Sequence, residues 1–253
     1  MITSKRAWDR YIAALRKVND EATESILYYL QQFGIPSTPD EMDALIDAAF
    51  AISNKYGEAA AALAAEWYDA TAALAGRILD PAVPAPTAPI DEVARAIVGT
   101  AKTQNEEIIA ASIGRLVKRT GVDTTMQNAI RDDAEWAWIP VGDTCAFCIT
   151  LASRGWQPAS AKALKGGHAE HIHANCDCTY QIRFDGSSSV AGYDPDKYLE
   201  MYEDAEGKSS KDKINAMRRE LYAENREKIL EQKADAYEKR KELESSAMEE
   251  ADV

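Results

Sequence analysis

The fold class of this chain is decided by a stretch near its start, from Lys5 to Phe33, which reads KRAWDRYIAALRKVNDEATESILYYLQQF. Its apolar residues recur every three or four positions, the spacing of one buried face of an α-helix. These apolar residues are Trp8, Tyr11, Ile12, Leu15, Val18, Ala22, Ile26 and Leu30. Gly34 and Pro36 follow, and a glycine at a helix end with a proline beyond it is a stop signal. The stretch therefore predicts one long amphipathic helix.

Further helices are predicted up to residue 134. Polar cap residues, a proline and early acids at 37–41 predict the start of a second helix, and an alanine-rich third helix is predicted from about Glu58 to Leu79. Four prolines mark 81–89 as a Pro/Ala linker, which we expect to be an extended, semi-rigid spacer. Helix is predicted to resume at residue 91 and to end at Thr120-Gly121, and a shorter helix is predicted over about 124–134.

The pattern changes at Trp136. Residues 136–141 predict a short extended segment, and the alternating residues 179–184 predict a strand. Helix is predicted again beyond Pro195, and the last helix is expected from Ser210 to about Glu244, with an increasingly charged, solvated distal part. The prediction is a mainly α fold with a small α+β metal-binding module. Its expected parts are a helical N-terminal region (1–80), the linker (81–89), a helical segment (90–135), a Cys/His module (136–190), and C-terminal helices with a charged tail (191–253).

Composition limits the classes of function. The formal net charge of −13 argues against a protein that coats nucleic acid, because phosphate binding needs a basic surface. No run of apolar residues is long enough for a transmembrane helix, and the first residues lack the apolar core of a secretory signal. A reducing cytosol is therefore expected, where clustered thiols more often hold metal than form disulfides.

All four cysteines and all three histidines lie between positions 145 and 178. The cluster begins with Cys145-Ala-Phe-Cys148 and ends with His173-Ala-Asn-Cys176-Asp-Cys178. A structural zinc site takes four nitrogen or sulfur ligands, usually as two short-range pairs. Five candidates thus compete for four positions: Cys145, Cys148 and Cys176 are favoured, with either His173 or Cys178 completing the set. Disulfides and plain packing are the alternatives.

Other chemistry is weaker. His168-Ala-Glu170 resembles part of the zinc deaminase signature, but the C-x-x-C comes before it instead of after it. A treble-clef nuclease is a further alternative, although no matching catalytic histidine is found. His168 and His171 are interpreted as residues of a surface loop. A cysteine nucleophile is not favoured, since no helix N-terminus is predicted beside a thiol to lower its pKa. Trp136 and Trp138 are expected in the core.

The residues of the cluster resemble a known family. Residues 141–155, VGDTCAFCITLASRG, followed by 173–179, HANCDCT, are similar to the phage minor head proteins of the MuF-like class, closest to the branch of actinobacterial phages and prophages. Residues 192–198, GYDPDKY, and residues 217–222, MRRELY, also resemble sequences of this family. The resemblance covers about 130–230. In the N-terminal half only the helical character is similar.

The resemblance implies a role in head morphogenesis without catalysis. Such proteins are minor components of the virion capsid, associated with the portal, and are assembled in the host cytoplasm. The implied partners are portal and capsid proteins, with contact to packaged DNA left open and no membrane. The resemblance also carries the zinc role onto Cys145, Cys148, His173, Cys176 and Cys178. The alternatives are a metal-dependent nuclease or deaminase and a toxin-type effector.

Overall fold

A computed structural model describes residues 2–142, 144–160, 177–227, 230, 231, 234 and 237. This part of the chain contains seven helices and five short strands. The helices are α1 (Lys5–Phe33), α2 (Pro39–Leu74), α3 (Ile90–Ala101), α4 (Glu106–Arg131), α5 (Ala146–Ala152), α6 (Pro195–Asp204) and α7 (Ser210–Glu224). The strands are β1 (Ile2–Thr3), β2 (Glu135–Ile139), β3 (Gln157–Pro158), β4 (Thr179–Arg183) and β5 (Ser189–Val190). The prediction of a mainly helical fold with a small sheet is confirmed.

The chain forms two compact units. The first unit contains residues 1–144 and 154–195, and the second contains residues 145–153 and 196–253. The first unit therefore holds α1 to α4 and all five strands, while α5, most of α6 and α7 belong to the second.

Helix α1 has the bounds predicted from its periodicity. Six residues of its apolar face are buried: Trp8, Tyr11, Ile12, Ala22, Ile26 and Leu30. The helix ends at Gly34, whose φ of 79° suits glycine and whose N–H donates to the carbonyl of Leu30 at 2.7 Å.

Helix α2 is one continuous helix of 36 residues, so the prediction of two helices between 41 and 79 was wrong. Its start was predicted correctly: Thr38 accepts the N–H of Glu41, and the Glu41 carboxylate accepts the N–H of Thr38 in a capping box. The helix passes through Gly57, where an added Cβ would lie 2.8 Å from Thr87 Cγ2. This glycine serves a close approach between segments and does not end the helix.

Residues 81–89, here called the strap, belong to no helix or strand and are attached to α4. The N–H of Val83 donates to Asn128 Oδ1 and that of Ala85 to Thr124 Oγ1, both at 2.9 Å. Ala85 is buried. The strap is therefore fixed to α4 by hydrogen bonds that its composition does not reveal.

Helices α3 and α4 replace the single predicted helix from 91 to 119. The break lies at 102–105, where Gln104 has a φ of 52° and Asn105 caps α4 by accepting the N–H of Ile108. Helix α4 then continues through Gly121, which was predicted to end a helix. An added Cβ at Gly121 would lie 3.3 Å from the carbonyl oxygen of Ala60, so here too glycine permits close packing of α2 against α4.

The predicted strands at 136–141 and 179–184 are confirmed as β2 and β4. They pair antiparallel, with Trp138 opposite Tyr180 and Ile139 opposite Thr179, and β3 pairs with the other edge of β2. Strands β1 and β5 form a separate parallel pair. Gln181 of β4 accepts a hydrogen bond from Trp67 Nε1 of α2 at 2.8 Å, which joins the sheet to the helices.

The second unit is held by an apolar cluster of α5, α6 and α7 that includes Ile149 and Met217. Lys213 Nζ donates to three carbonyls at the end of α6, those of Tyr202, Glu203 and Ala205, at 2.8–3.0 Å. A cation at this position also complements the helix dipole. Helix α7 ends at Glu224, with the Asn225 side chain donating to the Leu221 carbonyl. Beyond this turn the described residues 226, 227, 230, 231, 234 and 237 are again helical, as predicted. The predicted tail beyond 237 lies outside the described residues.

No described helix combines the length and hydropathy that a membrane crossing requires.

Replacing Gly57 by alanine is expected to lower the free energy of unfolding by about 1–3 kcal/mol, because the new methyl group overlaps Thr87. Gly99→Ala is the matched control, since no atom lies within 4 Å of its added Cβ. Removing an exposed glycine from α3 should instead raise stability by about 0.5–1 kcal/mol. Chemical denaturation of both variants checks this, and equal effects of the two substitutions would contradict close packing at Gly57.

Candidate metal centre

Cys178 is buried and lies one residue before β4. The backbone N–H of Val141 donates to Cys178 Sγ at 3.3 Å. The same sulfur lies 3.9 Å from the carbonyl oxygen of Val141. Both contacts hold Cys178 against the loop after β2.

Asp177 is fixed by a residue distant in sequence. Arg16 of α1 donates from Nε to Asp177 Oδ2 at 2.8 Å, and its Nη2 lies 2.5 Å from the same oxygen. The ion pair raises the pKa of the Arg16 guanidinium, mainly through the hydrogen bond to Asp177. The residue between the last two cysteines is therefore attached to the helical part of the first unit.

Cys145 and Cys148 lie at the start of α5, where no helix was predicted. Cys145 is the N-cap residue, with extended backbone angles of −77° and 160°, and Cys148 is buried within the first turn. Residues three positions apart share one side of a helix, so the C-x-x-C pair projects in a common direction. The expectation that no thiol stands at a helix N-terminus was wrong, because the seven-residue helix is too short to give a periodic signal.

The remaining candidates lie outside the described residues. Residues 161–176 contain His168, Glu170, His171, His173 and Cys176. Within the described ranges no three Cys, His, Asp or Glu side chains are grouped as metal ligands. The predicted site, which includes His173 and Cys176, thus stays a prediction.

The chemistry of the described cysteines fits a metal. No disulfide joins Cys145, Cys148 and Cys178 to one another. Two of the three are buried, and the third, Cys145, is the N-cap residue of α5. Deprotonated cysteines match the ligand preference of zinc.

Trp136 and Trp138 belong to the core, as predicted. Both are almost fully buried, and Tyr180 meets each indole edge-on, with ring centroids 4.6 and 4.8 Å apart. Trp138 Nε1 is buried without a hydrogen-bond partner in the part of the chain that the structure describes. The two indole rings are packed in the core beside the sheet, so neither ring presents an exposed face on which a ligand could stack.

Asp123 is an acid with an altered pKa. Burial raises its pKa from 3.8 to about 6, although Arg119 opposes the shift with a guanidinium 3.6 Å away. Arg119 itself forms a two-pronged ion pair with Glu92, which joins α4 to α3. A raised acid pKa marks many catalytic residues, but here its surroundings are those of an ion network between helices.

Comparison with protein families gives a match over most of the chain. The model of the VG15 protein family matches residues 1–205. The chain belongs to the VG15 protein family. VG15 is a family of viral and phage proteins, so the phage origin expected from the cysteine motif is confirmed at this level, and membership favours a structural or morphogenetic role in the virus. No curated protein and no solved structure matches the chain.

The contacts at Cys178 involve two residues that are not of a metal-binding type. Arg16 and Val141 both contact the segment at Cys178, yet neither belongs to a metal-ligand pattern. Arg16 is one of several basic residues on the polar face of α1, and Val141 contributes only its backbone. A pattern of residue types could not have identified either.

Asp123→Asn is expected to stabilise this VG15 protein at neutral pH. The folded state holds the Asp123 proton up to about pH 6, whereas the unfolded state loses it near 3.8, so stability falls as pH rises between these values. Because asparagine does not titrate, the variant avoids this loss of stability, and its free energy of unfolding should be about 1–2 kcal/mol higher than that of the wild type at pH 7.5. Denaturant unfolding of both proteins from pH 4 to 8 measures this difference in free energy of unfolding. The difference should shrink toward pH 4, and a difference that does not change with pH would contradict the raised pKa of Asp123.

Proposed function

We propose that this protein is a phage minor head protein of the MuF-like class that acts in head morphogenesis at the portal. The proposal is supported by the occurrence of a C-x-x-C motif and an H-x-x-C-x-C motif in a chain of the VG15 family. Its partners would be portal and capsid proteins, and it would be found in the virion and, during assembly, in the host cytoplasm. The net charge of −13 favours protein partners over packaged DNA.

The proposed metal is a structural zinc held by four of five residues: Cys145, Cys148, His173, Cys176 and Cys178. When bound, zinc would supply a cross-link between chain segments that contributes about 10–16 kcal/mol of apparent binding free energy. The surroundings of the described cysteines support this role. Cys178 is buried and accepts the N–H of Val141, and Cys145 is the N-cap residue of α5.

We propose no catalysis at this site. A catalytic zinc keeps one position open for water, whereas five candidate ligands are enough to close a four-coordinate site. A metal-dependent nuclease or deaminase remains the competing function, and it would use Glu170 or His168.

Zinc content tests the metal site. The full-length protein is expected to carry one zinc, and Cys145→Ser should lose most of it, because a serine hydroxyl is a far weaker zinc ligand than a thiolate. His168→Ala is the matched control within the same cluster and should keep its zinc. Mass spectrometry of metals in the purified proteins measures both, and zinc retained by Cys145→Ser would contradict the ligand set.

Virion composition tests the role in the head. The protein is expected in purified particles, in fewer copies than the major capsid protein. A phage without the gene should yield defective heads, and a copy with Glu170→Gln should rescue it fully, because catalysis is not required. Absence from particles would refute the head role, and turnover of DNA or a nucleoside lost in Glu170→Gln would establish the enzyme instead.

A further inference from the structure

Three contacts hold the chain at residues 177–179. Asp177 is bound by Arg16, the sulfur of Cys178 accepts the N–H of Val141, and Thr179 lies opposite Ile139 in the sheet. Each contact reaches a different element: α1, the loop after β2, and β2 itself. Both residues next to Cys178 in the chain, Asp177 and Thr179, are therefore held in place, and the Cys178 sulfur has a contact of its own.

The Arg16 contact is the only one of the three that reaches across from a bundle helix. Its partner lies 161 positions away, and two guanidinium nitrogens share one carboxylate oxygen. Helix α1 gives Arg16 a rigid base, because the residues Tyr11 and Ile12 on its other face are buried. The side chains of Arg16 and Asp177 are 52% and 32% exposed, and ion pairs as open as this contribute little to stability. We therefore expect the Arg16–Asp177 ion pair to affect the position of residues 177–179 and not the stability of the fold.

Charge gives the contact a second role. Asp177 stands between Cys176 and Cys178, both of which would be thiolates in a metal site. A third negative charge there repels the thiolates and could compete for the metal as an oxygen ligand. Arg16 offsets that charge and holds Oδ2 in a hydrogen-bonded pair.

We infer that Arg16 is a positioning residue for the metal site, acting through Asp177 on the ligand Cys178. The inference rests on the zinc site of the proposed function. It assigns to α1 a part in metal binding that no cysteine or histidine in the chain indicates. Groups that orient metal ligands in this way typically change metal affinity by 10- to 100-fold when they are removed.

The test compares Arg16→Gln with Arg10→Gln in the full-length protein. Arg10 is an exposed arginine of the same helix, so both variants lose one positive charge from α1. Zinc affinity is measured by competition with a chromophoric chelator, alongside the melting temperature of each protein after metal removal. Arg16→Gln is expected to bind zinc about tenfold more weakly, at the lower end of the usual range because the pair is partly exposed. Arg10→Gln should match the wild type, and the metal-free melting temperatures should agree.

The exchanged pair, Arg16→Asp with Asp177→Arg, should recover much of the affinity lost in Arg16→Asp alone. Equal affinities of Arg16→Gln and the wild type would overturn the role of Arg16 while leaving the zinc site intact. An equal loss in Arg10→Gln would overturn it too, since the effect would then be one of net charge. A wild-type protein without zinc would refute the metal site itself, a result that the wild-type measurement gives before any variant is compared.

Discussion

The close approach of α2 and α4 is the constraint on which the first unit depends. At Gly121 the space for a side chain is taken by the backbone of Ala60, and Ala60, Ala61 and Ala64 are buried along the same helix. Small side chains allow two helix backbones to come together over several turns, and any larger residue would push them apart. The other elements are placed by this pair, since α1 and α3 pack on both helices.

The three-stranded sheet is held in position by contacts with the same two helices. Trp67 of α2 donates to Gln181 of β4, and Tyr68 donates to Asp132 at the end of α4, where the chain turns toward β2. The segment with Asp177 and Cys178 enters this sheet directly. The segment with Cys178 is thus supported by the bundle, through Arg16, and by the sheet. A rigid support of this kind is what a ligand needs if its geometry is to be set before the metal arrives.

The sequence predicts those features that are local and periodic. Helix α1, the two main strands and the burial of Trp136 and Trp138 follow from apolar spacing and residue type. Gly121 was predicted to end a helix, and a new helix was predicted to start at about Glu58, beside Gly57. A glycine that ends a helix and one that admits a neighbouring segment look the same in a single sequence. The partners that distinguish the two cases, Thr87 and Ala60, lie 30 and 61 positions away. The cluster of cysteines marks a site, but the arginine and the backbone amide that contact it reach it only through the tertiary fold.

The strap shows how a segment of coil-like composition can be fixed by side chains of a distant helix. Its amides at Val83 and Ala85 donate to side chains of α4 that lie 45 and 39 positions further along the chain. These hydrogen bonds cannot form until α4 has packed, and a local opening of the strap would leave its buried alanines exposed to water. In native-state hydrogen exchange the amide of the buried Ala85 should therefore exchange far more slowly than an amide of an unattached loop.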